Sequence, residues 1–97
     1  VHVEDLSRTG VRFQLPGAVR PGSTYAFHAD LEGFELDVLI RITRCQAGAA
    51  PRGAGLGLVY LAGAEFLWES PAAEERFTTW LGRRGPAAGQ IQANLKR

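Results

Sequence analysis

Methionine is absent from this chain of 97 residues, and cysteine occurs once, at Cys45. A single cysteine excludes an intramolecular disulfide and suits a reducing compartment such as the cytoplasm. Cys45 reads as a small residue at a strand end rather than a reactive thiol, which would need a depressed pKa. The missing methionine points to a processed or excised segment. Charge of one sign is scarce too. Eleven basic and ten acidic residues leave a formal charge of +1, which excludes a protein that coats nucleic acid through bulk charge. No run of ~18 apolar residues occurs, so no membrane-spanning helix is expected, and no charged-then-apolar leader opens the chain. The two histidines, His2 and His28, are far apart in sequence. Without a metal-ligand cluster or a nucleophile motif, neither an enzyme nor a cofactor is expected.

What remains is enough for one domain. Apolar residues make up 45% of the chain, which suits a packed core rather than disorder. Residues 1–4 read as the end of a strand. Val11, Phe13 and Leu15 alternate with Arg12 and Gln14, the period of a half-buried strand. Pro16-Gly17 and Pro21-Gly22-Ser23 are turns. Residues 24–30 place Tyr25, Phe27 and Ala29 on one face. Residues 31–33 read as a hairpin connection, and Phe34 to Ile42 give the longest clean alternation in the chain. Residues 47–55 read as a loop, because Gly, Ala and Pro bury little and lose much freedom on ordering. Even-numbered apolar residues from Leu56 to Trp68 share one parity, with Gly63 marking a bulge or a close backbone approach. Ser70-Pro71 starts a helix by capping, Glu74 and Glu75 suit its positive end, and Ala73, Phe77, Trp80 and Leu81 form its apolar stripe. Gly82 to Gly85 ends it. Many short strands followed by one amphipathic helix imply a small antiparallel barrel with a helix across an opening.

The most informative stretch is Asp5-Leu6-Ser7-Arg8-Thr9-Gly10, placed where one strand turns into the next. It resembles the D/N-x-S-x-x-G signature of the PilZ family of cyclic di-GMP receptor domains. The same order of features continues through Leu15-Pro16, Pro21-Gly22 and Gly63-Ala64-Glu65-Phe66, similar to the family's G-V-E-F, up to about residue 84. The resemblance implies a mainly β fold: a six-stranded antiparallel barrel, incomplete at its N-terminus, with a C-terminal α-helix over residues 1–84. The tail, 85–97, is expected to be a short helix or disordered, since Ile91 and Leu95 lie four apart in a piece too short to hold a helix alone.

It further implies a receptor module of bacterial second-messenger signalling, with motility, surface polysaccharide and biofilm as the usual outputs. Asp5 and Ser7 would hydrogen-bond the guanine or its linkage, Gly10 would close the turn, and Arg8, at a variable position of the motif, adds charge. On the residues alone, Asp5 and Ser7 suit bonds to their own turn backbone, and Gly10 a positive φ. The family's second signature, R-x-x-x-R ahead of the hexapeptide, is absent from this chain. Two charge-assisted contacts contribute about 3–6 kcal/mol, so their loss weakens binding by roughly 10²–10⁴. The expectation is therefore weak binding or none by this chain, and binding by a parent protein that carries the arginines upstream.

Arg8 and Arg12 share the x-x-x spacing, which reads as coincidence. Arg41, Arg44 and Arg52 read as solvated charges, Asp30, Glu32, Glu35 and Asp37 as a solvated acidic face, His2 as a surface histidine, and Trp68 and Trp80 as core. The alternative is a degenerate PilZ domain that binds no nucleotide and acts through a protein partner or adjoining domain.

Overall fold

The computed structural model describes residues 1–31, 33–52, 55–84 and 91–97; Glu32, of the acidic face, and Gly85 lie outside the described residues. Six strands and one helix follow in the order β1 (His2–Leu6), β2 (Gly10–Leu15), β3 (Thr24–Leu31), β4 (Phe34–Arg52), β5 (Gly55–Leu67), α1 (Pro71–Arg84) and β6 (Ala93–Lys96). The strands form one curled antiparallel sheet in the order β1-β2-β5-β4-β3-β6. Its two ends come together through backbone contacts. The Val3 N–H donates to the Ile91 carbonyl at 3.0 Å, the Ala93 N–H to Val1 at 3.0 Å, and His2 bridges Gln92. The mainly β, barrel-like architecture read from the sequence is the one observed. Among the described residues no helix is long and apolar enough to cross a membrane.

Period-two burial explains most of the strands. Val11, Phe13 and Leu15 of β2 face the core, as do Tyr25, Phe27, Ala29 and Leu31 of β3 and Leu36, Ile40 and Ile42 of β4. Helix α1 starts where the sequence places it. The Ala73 N–H donates to Ser70 Oγ at 3.2 Å, satisfying one of the free amides of the first turn. Its apolar stripe brings Phe77, fully buried, onto the core aromatics. The Phe77 ring lies 5.4 Å from Phe66, 5.5 Å from Trp68 and 6.1 Å from Trp80, centroid to centroid. Phe66 continues the contact to Phe27, and Phe27 to Phe13. The helix thus seals the sheet's apolar face with one continuous aromatic column.

Two expectations are corrected. Residues 47–52 are strand, not loop, and pair with β5 as far as Arg52↔Gly55; residues 53 and 54 lie outside the described residues. Poor burial did not prevent pairing, because each strand of the hairpin satisfies the other's backbone groups. β2 ends its pairing at Leu15↔Tyr60, so β5 beyond that point has β4 alone alongside. Leu56 and Leu58 are accordingly 77% and 59% exposed, and the shared parity marks a core face only from Tyr60 onward. The tail is corrected as well: the helix is not the last element, because residues 93–96 form β6 beside β3. Ile91 and Leu95 are four apart, which suits a helix, but Ile91, Ala93 and Leu95 also share one strand parity. The free edge of β3 decides between the two periods by supplying a partner.

Removing the Phe77 ring is expected to cost about 3–5 kcal/mol, as large buried aromatics do. Urea denaturation of Phe77→Ala measures it, and a loss below about 1 kcal/mol, within the range of a surface change, would show that α1 does not seal the core.

Candidate ligand-binding site

β1 and β2 are joined by the turn that carries the hexapeptide. The Ser7 N–H donates to the Gly10 carbonyl at 2.9 Å. The Gly10 N–H donates back to Ser7 Oγ at 3.3 Å, and Ser7 Oγ lies 3.4 Å from Thr9 Oγ1. Ser7 therefore holds its own turn, as serines at such positions do, while its hydroxyl stays at the surface. Among the described glycines, positive φ occurs at Gly22 and Gly33, so Gly10 does not serve to supply one. Its reason is contact: a Cβ there would lie 2.2 Å from the Ala64 carbonyl oxygen. Next to it the Phe66 N–H donates to the Thr9 carbonyl at 2.9 Å. The turn is thus clamped onto β5.

Two bulges set the charges around this turn. In β1 the register shifts between Val3 and Asp5. Strict alternation would put Asp5 on the same side as buried Val3. The extra residue lets Glu4 and Asp5 both face outward, while Val3 and Leu6 stay buried. In β4 the register shifts between Ile42 and Arg44. Strict alternation would send Arg44 inward with Ile40 and Ile42; the extra residue, Thr43, turns it out. Re-aiming one side chain at a ladder's local expense is what β-bulges do. The bulge anticipated at Gly63 is therefore real but sits on the partner strand, opposite that glycine.

Because of these shifts, one row runs straight across four strands. Asp5 pairs with Arg12, Arg12 with Gly63, and Gly63 with Arg44. Arg12 Nε lies 3.9 Å from Asp5 Oδ2. Glu4 accepts a hydrogen bond from the Gln14 side-chain amide. Arg44 leans over Gly63, where an added Cβ would come 3.4 Å from its Cγ and Nε. Glu4, Arg12, Arg44, Gln46 and Leu61 line a shallow depression here. Of the residues singled out in the sequence, Ser7 and Gly10 lie in the turn, Asp5 pairs with Arg12 one step beyond Leu6↔Val11, and Arg8 projects from the turn tip, exposed. Arg12 and Arg44 read from the sequence as coincidental spacing and solvated charge, Gly63 as a bulge or close approach, and Glu4 does not stand out there. The signal was present as two adjacent polar residues breaking an apolar alternation, Glu4-Asp5 and Thr43-Arg44. Arg41, by contrast, is ion-paired with Glu65, its Nε 2.7 Å from Oε1. The side chain of Arg52 lies outside the described residues.

A second polar cluster lies on the β3–β4 hairpin. His28 Nδ1 is 2.6 Å from Asp37 Oδ1, and Nε2 is 3.6 Å from Glu35 Oε1. The hydrogen bond to Asp37, aided by the charges of Asp37, Glu35 and Asp30, raises the His28 pKa above 6.5. Each ring nitrogen faces its own carboxylate, an arrangement that suits an imidazolium.

No family model matches the chain, and no curated protein or solved structure matches it either.

Two outcomes follow from this geometry. The His28 imidazole resonances are expected to titrate with a midpoint above 6.5, shifted down by Asp37→Asn. A raised folded pKa contributes stability that is present below the unfolded value and lost as pH rises through the folded one. An unchanged midpoint in the variant would remove Asp37 as the cause. Gly10→Ala is expected to cost about 1–3 kcal/mol by overpacking, or to prevent folding, measured by thermal unfolding; a neutral change would contradict the clamp.

Proposed function

We propose that the chain is a PilZ-type receptor module for cyclic di-GMP, with the ligand seated on the outer face beside the Ser7–Gly10 turn. The observation that carries this reading is the outward row Asp5–Arg12–Gly63–Arg44 running from the hexapeptide. A guanine presents N–H donors along one edge and two acceptors along another. A carboxylate at Asp5 accepts from the first, and an arginine fork donates to the second, the pairing by which arginine reads guanine elsewhere. The Ser7 hydroxyl, at the surface, adds a donor or acceptor for the base or its linkage. Arg8 is exposed at the turn tip, where its planar guanidinium can stack on a base or meet a phosphate. The Asp5–Arg12 pair is exposed on both sides, and such pairs contribute at most about 1 kcal/mol, so a ligand can exchange it for its own contacts at little cost.

A second reading rests on a different observation. The β4–β5 hairpin carries Leu56 and Leu58 in the open, a feature that suits contact with a protein partner in a domain that binds no nucleotide.

Calorimetric titration with cyclic di-GMP, and with cyclic di-AMP as the control for the base, tests the first reading. Saturable binding of the guanine ligand is expected, weakened by Asp5→Ala about 10-fold or more, as loss of a hydrogen bond to a charged group does. Equal response to both dinucleotides, or no heat up to millimolar ligand, would leave the protein-contact reading.

A further inference from the structure

We propose that Arg12 and Arg44 form a phosphate seat over the bare backbone of Gly63, so that this chain carries its own pair of phosphate-binding arginines on β2 and β4. The inference concerns the site just described and, for the cyclic dinucleotide as its natural occupant, rests on that reading. The R-x-x-x-R segment of the resemblance lies ahead of the hexapeptide; these two arginines lie within the sheet and far apart in sequence.

Three observations support the seat. The first is spacing. Arg12 and Arg44 flank Gly63 in one row across β2, β5 and β4. Neighbouring strands are about 4.8 Å apart, so the two backbones stand about 10 Å apart. Arg44 already leans over Gly63, and Arg12, whose Nε faces Asp5 on β1, lines the same depression; once Arg12 turns from Asp5 toward β5, a tetrahedral anion can take a fork from each. The second is the floor. Gly63 has no side chain to occupy the space, and its carbonyl is already engaged by Thr43 Oγ1 at 3.0 Å. That bond takes up one of the carbonyl's two lone pairs. The third is the bulge. Without the extra residue at Thr43, Arg44 would point inward with Ile40 and Ile42. The sheet interrupts its ladder at the one place that delivers this charge to the row.

Two carboxylates lie nearby. Asp5 approaches Arg12 no closer than 3.9 Å, so the guanidinium can turn from it, and Glu4, hydrogen-bonded to the neutral Gln14 amide, keeps its charge. Arg44 makes no ion pair with any described residue. The seat thus combines one uncompensated cation with one partly compensated. A phosphodiester of a cyclic dinucleotide placed there would leave a guanine within reach of Asp5, at the other end of the same row.

Gly63→Ala is the discriminating variant because it keeps both charges. Its Cβ would make ordinary contacts of 3.4 Å with Arg44 and 3.5 Å with Thr43, which the fold can absorb, yet the methyl takes up the space over the backbone where the anion would rest. Arg44→Ala removes the charge instead. Circular dichroism melts establish that both variants fold. Two probes separate the seat from its occupant: cyclic di-GMP by calorimetry, and pyrophosphate by the shifts of the arginine Nε–H resonances. Each variant is expected to weaken cyclic di-GMP binding roughly tenfold or more, and pyrophosphate to move the Arg12 and Arg44 resonances in the wild-type chain but not in Gly63→Ala. Cyclic di-GMP binding unchanged in both variants would overturn the seat while leaving the receptor reading intact. Pyrophosphate shifts without cyclic di-GMP binding would uphold the seat and remove that ligand. Silence to both probes would overturn the seat outright.

Discussion

The close approach of β2 to β5 at Gly10 is the contact on which the rest of the site depends. No side chain fits there, since a Cβ would stand 2.2 Å from the Ala64 oxygen. The contact fixes where the β1–β2 turn lies, and the adjacent bond from Phe66 to Thr9 pins it. Once Gly10 is opposite Glu65, the register places Arg12 opposite Gly63 and Leu15 opposite Tyr60. The same strand, β5, then pairs with β4 on its other side, which brings Arg44 to Gly63. A motif at a surface turn and an arginine far from it in sequence, Arg44, belong to one row because a single central strand carries both registers.

The energetics of that row favour exchange over rigidity. Its one direct ion pair is long and exposed, and pairs of that kind add little to stability. At the bulge in β4 the Gly63 carbonyl opposite accepts a hydrogen bond from Thr43 Oγ1 at 3.0 Å. Stability comes instead from the inner face, through Phe13, Phe27, Phe66 and Phe77 and the helix that delivers the last of them. Core and candidate site are thus two faces of the same strands, so a substitution on the outer row is expected to leave the packing little changed.

Much of the fold was legible because burial and alternation coincide. Phe34 to Ile42 pack on one parity, and Ser70-Pro71 starts the helix through a cap whose chemistry is local. Three features were not legible, each for a physical reason. Residues 47–52 lack side chains worth burying, so no apolar pattern records that their backbones pair. Residues 91–97 carry a spacing compatible with two periods, and the choice belongs to the edge of β3. The bulges at Glu4 and Thr43 alter register without altering composition; a break in alternation shows that something happens, not which way the next side chain turns. The hexapeptide was visible at once, since its residues are neighbours in sequence. Arg44 and Gly63 were not, since only the pairing of β4, β5 and β2 makes them neighbours of Arg12.

If the turn and the row form one surface for cyclic di-GMP, as proposed, amide chemical-shift mapping of the isotope-labelled chain shows it. The amides of Asp5 to Arg12 and those around Arg44 and Gly63 are expected to shift together, on one saturation curve, as cyclic di-GMP is added, while the inner aromatic column and the amides of Leu56 and Leu58 stay still. Shifts confined to Leu56 and Leu58, or no shifts at millimolar ligand, would overturn the proposal.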